Sequence, residues 1–212
     1  MIKNKYLLVV MSFLLLFAVI SVSVSAHVIV KPNQAGVASF QTFTMGVPNE
    51  KDSSTTTVKL VIPEGLQFVS PNVKPGWRIE MKKSGEGDSA KVTEIDWTEG
   101  SIPSGQRDDF VFSVQVPANE TTVNWKAYQT YQNGEVVSWD QDPDGMKNMS
   151  DKDKEKAEKE GKGPYSQTKI INDLKTSPAT NQEGKQTKIS TILSVAAIIL
   201  SVVAIGLGFL KK

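Results

Sequence analysis

Short runs of alternating apolar and polar residues fill the middle of the chain, and this period of two constrains the fold more than any other feature. Such a run buries one face of a β-strand. Asn133-Gly134, between Y-Q-T-Y-Q and E-V-V-S-W, is typical of a hairpin turn. About seven to nine short strands without an amphipathic helix predict an all-β domain, an antiparallel β-sandwich of immunoglobulin-like type, with a small β-barrel as the alternative. The apolar positions that alternate are Phe43, Met45 and Val47; Val58, Leu60 and Ile62; Trp77, Ile79 and Met81; Phe110, Phe112, Val114 and Val116; and Val123, Trp125 and Ala127.

The first 26 residues have the features of a secretory signal peptide. Lys3 and Lys5 precede an apolar run over residues 6–20, and Val24 and Ala26 are small residues placed for cleavage. An uncleaved membrane anchor is the weaker alternative, because the apolar run is short for a bilayer. Residues 1–26 are therefore predicted to be removed, so that the mature chain begins at His27.

A second apolar segment lies near the C-terminus. Residues 189–210 carry no charge and are followed by Lys211 and Lys212, and a helix of that length spans roughly 33 Å, enough to cross a bilayer. A single-pass anchor is predicted at 189–210, with 211–212 as a cytoplasmic tail and the rest on the extracellular face of the cell membrane. Residues 148–188 are charged and polar, and are predicted to form a stalk below a domain at 27–147.

The composition excludes several classes of function. The chain has no cysteine and one histidine, which excludes disulfide scaffolds, Cys-based or multi-His zinc sites and blue-copper centres. Between His27 and Met146 there are 10 Lys and Arg against 16 Asp and Glu. An acidic domain repels phosphate backbones, so nucleic acid is not predicted as a partner.

The one histidine falls at the predicted first residue of the mature chain. Cleavage would expose an α-amine on the residue that carries the imidazole, and the amine together with the ring Nδ1 could chelate one ion. Two nitrogens of this kind suit Cu(II), which prefers N and O ligands. The alternative is that His27 is an ordinary polar residue of a frayed terminus. The motif H-V-I-V-K-P favours the metal hypothesis, because a strand beginning at once would hold the terminus against the domain.

Taken together, several motifs between His27 and about Asp144 resemble the YcnI-like copper-binding domains: H-V-I-V-K-P-N, F-Q-T-F-T-M-G-V-P-N-E-K, K-P-G-W, G-Q-R-D-D-F-V-F, and W-K-A-Y-Q-T-Y-Q-N-G-E-V-V-S-W. The resemblance implies a β-sandwich that binds Cu(II) through the terminal amine and imidazole of His27, a nearby carboxylate and Trp139 beside the metal. The family tends to have Glu before the Phe of its strand, where this chain has Asp109, one methylene shorter; Asp108 and Glu135 are competitors. By residue type alone, Trp139 would be predicted to pack in the core.

The leading hypothesis is a non-enzymatic, membrane-tethered extracytoplasmic Cu(II)-binding protein of copper trafficking or homeostasis. By resemblance, its partner would be a copper-importing membrane protein. A metal-independent cell-surface interaction module is the alternative from another class. An oxidative copper enzyme acting on polysaccharide ranks last, because its copper site would need a second histidine and the chain has one.

Overall fold

A computed structural model describes residues 27–172, which contain twelve β-strands and two short α-helices. The strands are β1 (Ile29–Lys31), β2 (Gln34–Gly36), β3 (Phe40–Pro48), β4 (Thr55–Val61), β5 (Gln67–Pro71), β6 (Arg78–Ser84), β7 (Lys91–Thr98), β8 (Arg107–Gln115), β9 (Thr121–Tyr131), β10 (Val136–Gln141), β11 (Lys162–Pro164) and β12 (Ser166–Ile171). The helices are α1 (Pro143–Lys147) and α2 (Asp151–Lys159), and a 3-10 turn covers Gly87–Ser89.

The strands form two sheets. One has four strands in the order β1-β3-β8-β5; the other has eight, in the path β11-β10-β9-β4-β7-β6, with β12 paired to β9 and to β2. Pairing is antiparallel except for β10 with β11 and β12 with β2. The strand from Ile29 to Lys31 therefore belongs to one sheet and β2, which follows it, to the other.

The core lies between the sheets and is rich in aromatic residues. Phe43, Phe112 and Trp125 pack with ring centroids 5.0 to 5.8 Å apart, and Trp97 lies 5.1 Å from Phe110. All five side chains are almost fully buried. Because these residues occupy alternate positions of their strands, the period of two directs them to one face. Among the described residues, the buried hydrophobic side chains of this core run from Val28 to Ile170.

The structure confirms the all-β antiparallel sandwich and the hairpin. Gly134 has a φ of 84°, and the amide of Tyr131 donates to the carbonyl of Glu135 at 2.9 Å, closing the turn between β9 and β10. Met81 is exposed, although the alternation predicts that its side chain is buried. It belongs to β6, the edge strand of the larger sheet, whose residues are mostly exposed. Alternation identified this strand but not its place at an edge.

The folded domain is longer than predicted. The structure places residues 162–164 and 166–171, assigned above to the 148–188 stalk, in β11 and β12 of the larger sheet. The side chains of Thr168 and Ile170 are buried, which the charged run before them obscured in the sequence. The boundary at residue 147 is therefore wrong. Residues 173–188 of the predicted stalk lie outside the described residues.

The predicted signal peptide (1–26), anchor (189–210) and tail (211–212) also lie outside the described residues. Within residues 27–172, neither helix is long and apolar enough to cross a membrane.

Candidate metal centre at the N-terminal strand

The main chain holds His27 at the edge of the sandwich. The next residues alternate, with Val28 and Val30 buried and Ile29 exposed, and β1 pairs antiparallel with β3 from Ile29 opposite Gly46. His27 itself is exposed. His27 thus has a side chain accessible to solvent and is followed directly by residues that the sandwich holds in place.

Strand β12 fixes β1 from the other side. Ser166 Oγ accepts a hydrogen bond from the amide of Val30 at 2.9 Å. Thr168 Oγ1 accepts one from Trp125 Nε1 at 2.9 Å and donates to the carbonyl of Pro32, also at 2.9 Å. The segment predicted as stalk therefore supplies the contacts that position the N-terminal strand.

The ring of His27 packs against Trp139. Their ring centroids are 5.7 Å apart and the planes are almost perpendicular, at 89°. Edge-to-face contact is a favourable arrangement for aromatic rings. The sandwich thereby brings together two of the three predicted site residues, which are 112 positions apart in the chain.

Two residues that sequence reasoning missed hold Trp139 in place. Gly163 lies under the indole so closely that a Cβ there would be 2.3 Å from a ring carbon. Trp139 Nε1 donates to Gln129 Oε1 at 3.4 Å. The Nε2 of the same amide, which is buried, donates to the carbonyl of Pro48 at 2.9 Å and to Thr55 Oγ1 at 2.6 Å.

A signal for Gln129 was present in the sequence. The alternation through Val123, Trp125 and Ala127 continues to Gln129, which puts a polar residue on the inward face. A buried amide requires hydrogen-bond partners, so this position pointed to an internal polar network. Gly163 gives no comparable signal, because it follows a charged run that indicates a stalk.

The predicted carboxylate, Asp109, lies on the outward face of β8. Its side chain is about half exposed and forms an ion pair with Arg107, with 2.7 Å between Oδ1 and the guanidinium nitrogen. Both side chains lie over Gly46, which is opposite Ile29. Since neighbouring strands are about 4.8 Å apart, the backbone of Asp109 is two strands, about 10 Å, from β1.

The two competing acids also have cation partners. Asp108 pairs with Lys74 at 2.7 Å, and Glu135 pairs with Lys51. Among residues 27–172, no three side chains of the His, Cys, Asp and Glu types are grouped closely enough to hold a metal ion. His27 and Trp139 are thus in contact, whereas each candidate acid is paired with a cation.

Polar contacts also order the chain after Trp139. Asp142 caps α1, accepting from the amide of Gly145 at 3.1 Å, and its other oxygen accepts from the Tyr165 hydroxyl at 3.0 Å. The hydrogen bond from Tyr165, with that from Gly145, holds the pKa of Asp142 below its usual value. Because Tyr165 lies between β11 and β12, this bond links the end of β10 to the strands that support β1.

On the outward face of the larger sheet, Glu94 lies between two lysines. Its carboxylate pairs with Lys59 at 3.1 Å and with Lys82. Burial opposes ionisation, but the hydrogen bonds from Lys82 and Lys59 outweigh it, and the pKa of Glu94 is lowered. This carboxylate therefore contributes to stability in its ionised form.

Fold and site together define the class: an immunoglobulin-like antiparallel β-sandwich with an exposed histidine packed on a tryptophan where its first strand begins. A crystal structure of an uncharacterised protein from Nocardia farcinica, reported to have an immunoglobulin-like fold, superposes with a TM-score of 0.55 at 25% identity, covering 69% of this chain and 99% of that one.

The family model of the domain of unknown function DUF1775 matches residues 27–160. The copper-binding protein CutI of Bacillus subtilis (strain 168) is 34% identical over 185 residues, 85% of each chain. The chain therefore belongs to the DUF1775 family, which confirms its resemblance to the YcnI-like copper-binding domains.

Proposed function

We propose that this protein, once residues 1–26 have been removed, binds Cu(II) through the α-amine and the imidazole Nδ1 of His27. The observation that carries the proposal is the contact of the His27 ring with Trp139, 5.7 Å between centroids. A frayed terminal residue would have no such partner. The copper-binding relative CutI supports the choice of metal.

The available donors favour Cu(II) over Cu(I). The site offers an imidazole, an amine and carboxylate oxygens, and the chain has no thiolate. Nitrogen and oxygen ligands suit Cu(II), whereas soft sulfur selects Cu(I). The α-amine ordinarily titrates at about 7.7 to 8.0, so copper must displace its proton at neutral pH, and affinity should fall on acidification.

An oxygen ligand completes the proposed site, and Asp109 is our candidate. It would have to exchange Arg107 for the metal, and an ion pair this exposed is worth only about 0 to 1 kcal/mol. Gly46 lies beneath this pair, and the Arg107 guanidinium fills the space that a side chain at Gly46 would need. Asp108 and Glu135 remain the alternatives.

In the cell, we place this domain outside the cytoplasmic membrane, held by the anchor at 189–210. A copper site completed only by signal-peptide cleavage would form only after export. Copper is the cargo in this proposal, and the protein is a binding protein of copper trafficking or homeostasis and not an enzyme. A copper-importing membrane protein would be the recipient.

The decisive experiment is a Cu(II) titration of residues 27–172, followed by electron paramagnetic resonance, with His27 as the free first residue. The matched control has one alanine added before His27, which turns the amine into a peptide nitrogen and leaves every side chain in place. We expect tight binding with a tetragonal spectrum only in the first protein. Equal and weak binding in both would refute the proposal and favour a metal-independent surface module.

The ligand oxygen is identified by three isosteric variants, Asp109→Asn, Asp108→Asn and Glu135→Gln. Each removes a charge and keeps the shape, so the domain should remain folded. We expect Asp109→Asn alone to change the spectrum and weaken binding. A change confined to another variant would reassign the ligand without affecting the role of His27.

A further inference from the structure

Two exposed phenylalanines form a pair on the outward face of the four-stranded sheet. Phe40 is 67% exposed and Phe68 is 69% exposed, and their ring centroids are 5.7 Å apart. Phe40 begins β3 opposite Gln115, and Phe68 lies in β5 at an irregularity of its pairing with β8. The two rings therefore form one apolar projection at one end of the sandwich.

The backbone of Phe68 has an unusual conformation. Its φ is 50°, in the left-handed region that a bulky residue rarely adopts. Such a conformation destabilises the fold unless the surroundings compensate, and it is often found at functional positions. Glycine would adopt it readily, so the strain and the exposed ring are both consequences of having phenylalanine there.

The described chain ends at this same end of the sandwich. The amide of Val37, three residues before Phe40, donates to the carbonyl of Ile171 at 3.1 Å. The loop after Gln115 reaches the same end, because Glu120 accepts from the amide of Asn172 at 2.8 Å. The Phe40–Phe68 pair and residue 172, after which the chain continues toward the predicted anchor, therefore lie at the same end of the sandwich.

The candidate copper site is at the opposite end. Ser166, at the start of β12, contacts Val30, and β12 runs from there to Ile171. At about 3.3 Å per residue, this strand and the three residues from Val30 back to His27 separate the two ends by roughly 25 Å.

We infer that the Phe40–Phe68 pair inserts into the outer surface of the bilayer and directs His27 away from it. Sixteen residues, 173–188, separate the described domain from the apolar segment. They can span at most about 58 Å, so this end remains at a high effective concentration near the lipid. Exposed aromatic rings gain from burial in the interfacial region. The inference rests on the proposed membrane tether and is independent of copper binding.

The test uses residues 27–212, without the predicted signal peptide, in copper-free vesicles of phosphatidylcholine, with single nitroxide labels. Because the chain has no cysteine, Phe68→Cys and Val73→Cys each provide one unique labelling position. Val73 is the matched control: it is 92% exposed and follows the same strand, β5, but lies toward the other end, since the next residue, Lys74, contacts Asp108.

Relaxation of the labels by oxygen, which concentrates in lipid, is compared with relaxation by a water-soluble nickel chelate. We expect oxygen to dominate at position 68 and the nickel chelate at position 73. Adding Phe40→Ser should shift the label at position 68 toward the pattern of position 73. A label at 68 that is as accessible to nickel as the one at 73 would overturn the inference, as would its burial against a second copy of the chain.

Flotation of the vesicles separates this failure from failure of the tether, because a chain without an anchor would not float with the lipid. A second variant, Phe68→Gly, removes the ring and relieves the left-handed strain. In this variant, a nitroxide attached at Phe40→Cys should become accessible to the nickel chelate, and the melting temperature should not fall. A fall would show that Phe68 serves the stability of the domain, against the inference.

Discussion

Gly163→Ala should destabilise the domain by displacing Trp139. The added Cβ would lie 2.3 Å from one carbon of the indole and 2.5 Å from another, whereas carbon atoms in contact are separated by about 3.5 Å or more. The ring must therefore move by about 1 Å, although the hydrogen bond to Gln129 and the contact with His27 hold it.

Overpacking of this kind costs about 1 to 3 kcal/mol. For a domain of this size, each kcal/mol lowers the melting temperature by about 2 to 4 °C. Thermal unfolding of Gly163→Ala, followed by circular dichroism, should therefore show a decrease of about 2 to 12 °C.

Gly145→Ala is the matched control, because it adds the same methyl group where there is room. The nearest atom, Asp142 Oδ2, would be 3.4 Å away, and alanine is favoured over glycine in a helix. Its melting temperature should be unchanged or higher. If Gly163→Ala melted at or above the temperature of the unmodified protein, the packing of Trp139 on Gly163 would not exist in solution.

Three further predictions concern other parts of the domain. Gln129→Leu leaves the Trp139 indole N–H without its acceptor, and should lower the free energy of unfolding by about 1 to 3 kcal/mol in urea titrations; no change would mean that water replaces the amide. Deleting residues 161–172 removes β11 and β12, and cooperative unfolding should disappear from calorimetry; a truncated chain with a normal transition would restore the shorter domain boundary. The hydrogen bonds from Lys82 and Lys59 lower the pKa of Glu94, so the ionised carboxylate stabilises the fold above the ordinary glutamate pKa of about 4.3. This contribution is lost as the pH falls through the lower pKa of the folded state. Glu94→Gln should therefore flatten the decline of melting temperature in acid, and an identical decline in both proteins would contradict the pairing with Lys82.

Much of this protein could be predicted from local sequence patterns. The alternation at Phe110, Phe112 and Val114 placed these side chains on one buried face, and Asn133-Gly134 specified the hairpin. Both depend on backbone geometry that neighbouring residues determine: side chains alternate along any strand, and few residues adopt the conformations of a tight turn. The position of His27 was likewise apparent, because it is the one histidine in the chain.

Only the tertiary structure decided which distant residues meet. It joined His27 to Trp139, placed Gln129 and Gly163 against the indole, and recruited β12 to hold β1. These contacts depend on how the sheets stack and which strands lie at their edges, and a pattern of period two contains neither. The alternation along a strand predicts which of its faces is buried. Which residues pack against that face depends on the arrangement of all the strands.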